Sequence, residues 1–250
     1  MSGNGQVVGP VSDEVLAEIN DMLDWRAGAF LPDGRVLGKM FAHKRSKPQP
    51  IPDKRISLLN QRVPLHGKRV LEIGCFEGIH TLGLMHYGAD VTGIDVRPVN
   101  VAKTLMRVAM HGFSVKAFVH DAATLSLAFG RFDLIFHFGV LYHMMNPVEH
   151  LAAIAGVSDI LFLDTHVAGG KVIRGQYLVD GEEFDYDLRG EAGWGDPFSG
   201  TAGLSRQLTL ESLDRALARA GFSRREVVQE RAERNGPRVL ILATKKSGVG

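Results

Sequence analysis

Between Lys68 and Asp164 the chain alternates short apolar runs with amphipathic stretches, and this alternation limits the possible folds more than any other feature. Amphipathic stretches with helical spacing cover residues 79–87, 98–111 and 147–155. Strand followed by helix, repeated along a chain, predicts a parallel sheet with helices on both faces. The apolar runs have the length of buried strands and lie at residues 69–73, 90–94, 114–119, 132–136 and 159–164.

The last part of the chain has a different order. A helix is predicted at residues 210–219, followed by strands at 222–228 and 239–244 with the turn sequence Asn235-Gly236-Pro237 between them. Two strands joined by so short a connection are antiparallel, because a parallel return needs a crossover. The sequence therefore predicts an α/β fold whose seven-stranded sheet is mostly parallel, with an antiparallel last strand.

Two further segments lie outside this regular pattern. Residues 1–66 contain a helical repeat of apolar residues that begins near Ser12, and they predict an N-terminal helical extension or cap on a core that spans 67–250. Residues 167–208 are rich in glycine, aromatic and acidic residues and show no period. A loop of this length in a compact domain is typical of a lid or binding insert.

Composition excludes several classes of protein. The 250 residues suit one large α/β domain, and a net charge of +1 lacks the basic excess of a dedicated nucleic-acid binder. One cysteine, Cys75, permits no disulfide within the chain and predicts a reducing, cytoplasmic compartment. Residues 1–10 lack the pattern of a secretory signal, and no apolar run is long enough to span a membrane.

Charge is unevenly distributed along the chain. Basic residues dominate residues 35–69, and acidic residues dominate 180–196. We interpret the two segments as solvated surfaces, while the basic one keeps nucleic-acid binding open as a less favoured possibility.

The strand ends carry the candidate ligand-binding residues. Gly74 follows the first strand of the core and permits close approach of the backbone to a ligand, ahead of a helix N-terminus that favours an anion. Asp95 ends the second strand and can accept hydrogen bonds from both hydroxyls of a ribose. Asp121 follows the third strand, and it either meets an adenine amino group or caps the next short segment. The spacing Gly74-x-x-x-Gly78 disfavours a nicotinamide dinucleotide, because it cannot supply G-x-G-x-x-G.

In order and spacing, residues 70–78, 91–95, 120–122 and 132–136 resemble the motifs of class I S-adenosylmethionine-dependent methyltransferases. Residues 139–143, with Asn146-Pro147 and Leu151, are similar to a narrower group, the tRNA wobble-uridine carboxymethyltransferases and their small-molecule relatives. The segment from Trp25 to Gly38 resembles the lead-in of that group. The resemblance implies a Rossmann-like fold and S-adenosyl-L-methionine as cofactor.

The resemblance also implies roles for individual residues. Those around the methionine part of the donor are Glu72, Gly74 and Gly78, and Cys75 and Phe76 in the same turn are further cofactor-binding positions. Phe76 departs from the family, whose central turn glycine it replaces, and this puts contacts through the turn in doubt. The remaining cofactor-binding positions are Asp95 for the ribose, Val96, Asp121 and Ala122 for the adenine, and Phe138, Gly139 and Tyr142 beside the transferred group.

Methyl transfer to a hydroxyl needs a group that removes the hydroxyl proton. His143 follows the fourth strand of the core and is our candidate base, and His166, after the fifth strand, is a second candidate. For His143 the alternative is a structural role ahead of the next helix. His137, Asp164 and His166 match no specific metal-binding spacing, so we predict no metal site.

We therefore predict a methyltransferase that acts on a small-molecule acceptor, at a hydroxyl, without a membrane partner. The alternatives are a tRNA-modifying methyl- or carboxymethyltransferase and a module that binds S-adenosylmethionine without turnover. The acceptor and the oligomeric state are not determined by the sequence.

Overall fold

The computed structural model describes residues 10–39, 47–169 and 174–246. Some of our predictions concern residues outside these ranges. They are the first nine residues, residues 40–46 in the middle of the basic segment, and residues 170–173 of the insert. The chain divides into two compact units, residues 1–120 and 121–250, and each has its own strands and helices.

The first unit begins with helix α1, whose Ser12 cap accepts a hydrogen bond from Val15 N, and α2 begins at the Asp53 cap in the same way. Strand β4 pairs in parallel with both β3 and β5. The helices of this unit are α1 (Asp13–Met22), α2 (Lys54–Arg62), α3 (Ile79–His86) and α4 (Pro98–Met110). Its strands are β1 (Ala29–Phe30), β2 (Val36–Leu37), β3 (Arg69–Ile73), β4 (Asp90–Asp95) and β5 (Lys116–Val119).

The N-terminal segment is attached to this unit by Arg107 of α4, which is fully buried. Its guanidinium donates to Ala27 O at 2.7 Å and to Leu37 O at 3.1 Å, and it lies 4.8 Å from the centre of the Trp25 ring. The predicted helix of the extension is present as α1. The small β1–β2 hairpin was not predicted, because two-residue strands have no readable period.

The second unit contains the remaining strands and two helices. Strand β6 pairs in parallel with β7, whereas β12 runs antiparallel to β7 and to β11. Its helices are α5 (Pro147–Val157) and α6 (Leu210–Arg219). Its strands are β6 (Leu134–Phe138), β7 (Ile160–His166), β8 (Arg174–Val179), β9 (Glu182–Gly190), β10 (Leu204–Leu208), β11 (Arg224–Glu233) and β12 (Gly236–Thr244).

The main sheet has seven strands in the order β11-β12-β7-β6-β3-β4-β5. The predicted fold class, a mostly parallel seven-stranded sheet with an antiparallel last strand, is thereby confirmed. The last hairpin is longer than predicted, because Gly236 and Pro237 belong to β12 and only Arg234 and Asn235 form the turn.

The insert predicted at 167–208 is more regular than its sequence indicated. Strands β8, β9 and β10 form a separate antiparallel sheet in the order β10-β9-β8. Burial along β9 does not alternate, since Phe184 and Asp187 are both buried although they lie on opposite faces. This explains why no period was visible. The lid role and the boundary at residues 66/67 stay predictions.

Candidate functional site

The turn after β3 has an unusual backbone. Gly74, Phe76 and Gly78 all lie in the left-handed region, with φ of 78°, 51° and 78°. At Gly78 a Cβ would meet Thr104 Cα at 3.0 Å, so α4 approaches too closely for a side chain. Phe76 carries a side chain, so its left-handed conformation costs about 1–2 kcal/mol. The turn therefore has three left-handed positions, one of which is not a glycine.

Asp95 lies at the end of β4 and contacts this turn directly. Its Oδ2 accepts a hydrogen bond from Phe76 N at 3.1 Å, and its Oδ1 accepts from Arg97 N at 2.9 Å and Asn100 Nδ2 at 3.1 Å. Burial raises the pKa of Asp95, and these hydrogen bonds act against the rise. The structure thus brings together the turn and the acid that the sequence placed at neighbouring strand ends.

Glu72 is buried in β3 with one oxygen engaged. Thr81 Oγ1 donates to Glu72 Oε2 at 2.5 Å, while Oε1 has no hydrogen-bond partner among the residues that the structure describes. Burial raises the pKa of Glu72 to about 8, and Thr81 lowers it only in part. A buried acceptor without a donor is unfavourable, so this oxygen is suited to a cationic or hydrogen-bond-donating ligand.

Three further residues near the turn, Glu77, Cys75 and Val96, differ in their surroundings. Glu77 faces the N-terminal segment, where its carboxylate accepts from Arg26 N at 2.7 Å and Ala27 N at 2.9 Å. The buried, unoxidised side chain of Cys75 packs against Gly93, since a Cβ at Gly93 would lie 3.4 Å from Sγ. Val96 is half-buried directly after Asp95. Glu77 is therefore structural, and Cys75 offers its backbone to the turn.

In the second unit, Asp121 caps the short 3₁₀ helix Ala122–Thr124 by accepting from Ala123 N at 2.9 Å. Of the two interpretations of Asp121, capping is what the structure contains. The side chain of Asp121 is exposed and Ala122 is buried. Their contact with adenine stays a prediction.

Phe138 and Gly139 lie where β6 ends. Phe138 is buried and stacks on Phe136, with ring centres 3.9 Å apart. Gly139 has a φ of 74°, and a Cβ there would lie 3.7 Å from Tyr142 Oη. The glycine thus leaves open the space beside the tyrosine hydroxyl.

The rings of both candidate bases lie close to the Tyr142 ring. The Tyr142 ring is 4.1 Å from the His143 ring and 4.8 Å, edge-on, from the His166 ring. Burial lowers the pKa of His166, and Arg238 lowers it further. The structure therefore brings Tyr142, His143 and His166 into one cluster, which we call the aromatic cluster.

Sequence reasoning missed Glu191. Its Oε1 lies 2.8 Å from His143 Nδ1, although the two residues are 48 positions apart. In the sequence Glu191 is one of several acids between 180 and 196, and nothing in that run distinguishes it. Only the folded insert shows that this acid reaches the histidine.

The residues considered for a metal site are engaged elsewhere. Asp164 is fully buried and paired with Arg238 and with Arg231, whose Nη2 lies 2.8 Å from Asp164 Oδ2. His137 forms a buried pair with His150, Nε2 to Nε2 at 2.9 Å. Within residues 10–39, 47–169 and 174–246, no three His, Cys, Asp or Glu residues are grouped to hold a metal ion.

Comparison with known proteins matches these features to one family. A Methyltransferase domain family matches residues 70–162, which cover β3 to β7. The N-terminal domain of EvdMO1, solved in the presence of SAH and D-fucose, is 26% identical, with a TM-score of 0.75 over 95% of this chain and 98% of that one. This chain belongs to the class I S-adenosylmethionine-dependent methyltransferases. The predicted family is confirmed, and with it the donor that the family uses, S-adenosyl-L-methionine.

Two curated relatives of this methyltransferase match it over shorter ranges. The tRNA U34 carboxymethyltransferase of Proteus mirabilis is 29% identical over 130 residues, or 51% of this chain. The ubiquinone biosynthesis O-methyltransferase of Cereibacter sphaeroides is 30% identical over 95 residues, or 38% of this chain. In each case the matched part is 38% of the relative's length. Across the described part of this methyltransferase, no helix has the length and apolarity needed to cross a membrane.

Binding of the donor to this methyltransferase is expected to release a proton. At pH 7 the buried Glu72 carboxyl is mainly protonated, because its pKa is raised to about 8. A cationic amino group placed beside Oε1 favours the ionised form, so close to one proton leaves the site. Titration calorimetry of donor binding in two buffers with different ionisation enthalpies measures this number. In Glu72→Gln the release of a proton on donor binding should disappear. Donor binding without proton release in the wild type would contradict the contact between Glu72 and the amino group of the donor.

Proposed function

We propose that this methyltransferase transfers a methyl group from S-adenosyl-L-methionine to a hydroxyl of a small molecule. The observation that carries the proposal is the state of His143. Its Nδ1 is engaged by Glu191, while no described residue hydrogen-bonds to its Nε2. A half-buried imidazole with one engaged nitrogen and one free nitrogen is suited to accept a proton from an acceptor hydroxyl.

The residues around the β3 turn fit the donor. None of the residues that the structure describes donates a hydrogen bond to Glu72 Oε1, as expected of an oxygen that meets the amino group of an amino acid. Asp95, fixed by three hydrogen bonds, keeps one acceptor site on Oδ2 for a ribose hydroxyl, since Oδ1 already accepts from Arg97 N and Asn100 Nδ2. We propose that Gly74, Phe76 and Gly78 hold the methionine part by their backbone.

When bound, S-adenosyl-L-methionine supplies a methyl group that its sulfonium charge has already activated. The protein's task is to orient the acceptor and to take its proton. His143 Nε2 would accept the proton of the acceptor hydroxyl, whose oxygen would take the methyl group that the bound donor supplies, leaving S-adenosylhomocysteine. His166 and Tyr142 line the same cluster, with His166 as the second candidate base.

A small acceptor is favoured over a macromolecule by two observations. The net charge of +1 provides little long-range attraction for a polyanion. The similar EvdMO1 domain was solved with D-fucose, a polyhydroxylated small molecule, and its likeness extends over nearly the whole chain. D-Fucose and related deoxysugars are therefore the first acceptors to test. A cytoplasmic location stays a prediction, which the single cysteine supports.

Transfer to a tRNA is the second candidate, because the relatives include a tRNA U34 carboxymethyltransferase. The described part of the basic segment argues against a broad phosphate-binding face. Arg35 pairs with Asp13 and Asp33, and Arg55 pairs with Asp53, so the charges of these two arginines are neutralised locally. Binding to tRNA should then be weak.

Release of S-adenosylhomocysteine, measured with a panel of hydroxylated small molecules and with bulk tRNA, tests both candidates. We expect product with at least one small hydroxylated acceptor and none with tRNA. Product with tRNA, together with binding that weakens steeply as salt rises, would replace the first proposal by the second. Donor binding without product from any acceptor would instead indicate a non-catalytic module.

A further inference from the structure

The Glu191 carboxylate is held in place by hydrogen bonds from the insert, in addition to its contact with His143. Its side chain is 7% exposed. Ser205 Oγ donates to Oε1 at 2.7 Å, while Ser199 Oγ and Gly200 N donate to Oε2 at 2.5 Å and 2.7 Å. Three donors from one segment fix both oxygens, so the carboxylate has little freedom to rotate away from the histidine.

The charge of this carboxylate is also stable. Burial raises the pKa of Glu191, but hydrogen bonds from His143 and Ser199 outweigh it and lower the pKa to about 2. An ionised carboxylate has no proton to donate and only accepts. The nitrogen that faces it, His143 Nδ1, must therefore carry a proton, which leaves the lone pair of the neutral ring on Nε2.

We propose that Glu191 is a positioning residue that fixes the tautomer and the ring orientation of His143. The inference rests on the proposed function, in which His143 Nε2 takes the acceptor proton. It assigns to the insert a part in the reaction that the sequence did not indicate. The base is assembled from two segments: the short 3₁₀ helix Leu141–His143 after β6 supplies the imidazole, and the insert supplies the group that orients it.

Close backbone packing supports this assignment. A Cβ at Gly200 would lie 2.8 Å from His143 O and 3.1 Å from His143 Cβ, so the insert touches the backbone of the histidine itself. Arg206 N donates to Met144 O at 2.9 Å, one residue beyond. The segment from Glu191 to Arg206 thus contacts the short helix at the carboxylate, at Gly200 and at Arg206.

A merely structural role for Glu191 makes different predictions. If the carboxylate served only to order its own loop, its removal would alter the stability of the insert but leave the ring nitrogens of His143 as they were. The ¹⁵N chemical shifts of the His143 ring separate the two cases, because a protonated ring nitrogen and one with a lone pair resonate far apart. This readout does not depend on turnover.

The test combines these shifts with steady-state kinetics for Glu191→Ala and Gly200→Ala. We expect the wild type to show the Nδ1–H tautomer of His143 and Glu191→Ala to lose it. In Glu191→Ala, kcat should fall about tenfold to a hundredfold while donor Kd stays within about twofold. Gly200→Ala keeps the carboxylate but displaces His143, and we expect about a tenfold lower kcat.

Gly203→Ala is the matched control, because it lies in the same segment and its added Cβ meets nothing within 4 Å. An unchanged His143 tautomer in folded Glu191→Ala, or unchanged kcat, would overturn the inference. If Glu191→Ala does not fold, a Gly200→Ala protein with normal kcat and tautomer overturns it instead. Full activity of His143→Ala would overturn the proposed function, in which His143 is the base. This result is distinguishable from a failure of the inference about Glu191.

Discussion

Replacing His143 by alanine is expected to lower kcat for methyl transfer by about 10²- to 10⁴-fold, the usual contribution of a general base. The physical reason is the acceptor proton, which has no comparably placed acceptor once the imidazole is gone. His166 also lies beside Tyr142, but its burial lowers its pKa and thus its basicity. It is therefore a poor replacement.

Glu72 and Asp95, which we propose to hold the donor, belong to the other compact unit, so we expect the donor Kd of His143→Ala to remain within about twofold of the wild type. Calorimetry of donor binding and release of S-adenosylhomocysteine measure the two effects separately. His66→Ala, a change at an exposed histidine, is the control. Wild-type turnover by His143→Ala would remove His143 from the chemistry and leave His166 as the candidate.

Replacing Asp95 by alanine is expected to raise the donor Kd by about tenfold to a hundredfold. Hydrogen bonds to an ionised group contribute about 1.5–3 kcal/mol, and Asp95 is assigned the ribose hydroxyls. The change also removes the acceptor of Phe76 N and so loosens the turn that we propose holds the methionine part. Both losses act on the donor, so affinity should fall more than kcat at saturating donor.

Asp90→Ala provides the matched control for this experiment. Asp90 begins the same strand that Asp95 ends, and it is exposed. Its loss removes the same charge from the opposite end of β4, where we expect no effect on donor affinity. Equal affinities of wild type, Asp90→Ala and Asp95→Ala would show that Asp95 does not hold the donor.

The N-terminal segment explains why Glu77 belongs to the framework of the site. Glu77 lies in the turn after β3, but its side chain faces the N-terminal segment. Lys103 Nζ lies 2.9 Å from Glu77 Oε1 and balances its buried charge. Arg107 Nε donates to Glu77 O at 2.6 Å and also holds the N-terminal segment by Ala27 O and Leu37 O. The turn is thus supported from behind by residues some 50 positions earlier in the chain.

The order of strands and helices in the main sheet could be predicted because it follows from local pattern. Buried strands are continuous apolar runs, and helices such as α3 and α4 follow them at regular distances. Gly74 and Asp95 were placed correctly for the same reason, since parallel strands end at one edge of a sheet. The antiparallel hairpin β11–β12 was implied by a connection too short for a crossover.

Tertiary structure alone decided the surroundings of the acidic residues. Glu72, Glu77 and Glu191 are the same residue type, but their surroundings differ. Within the described part of the chain, one buried oxygen of Glu72 has no hydrogen-bond partner, whereas Glu77 supports the N-terminal segment and Glu191 engages His143. The insert sheet was equally hidden, because its burial comes from packing against other elements. Local pattern reports which faces of an element are apolar; the partner of a buried charge is set by contacts between residues far apart in the chain.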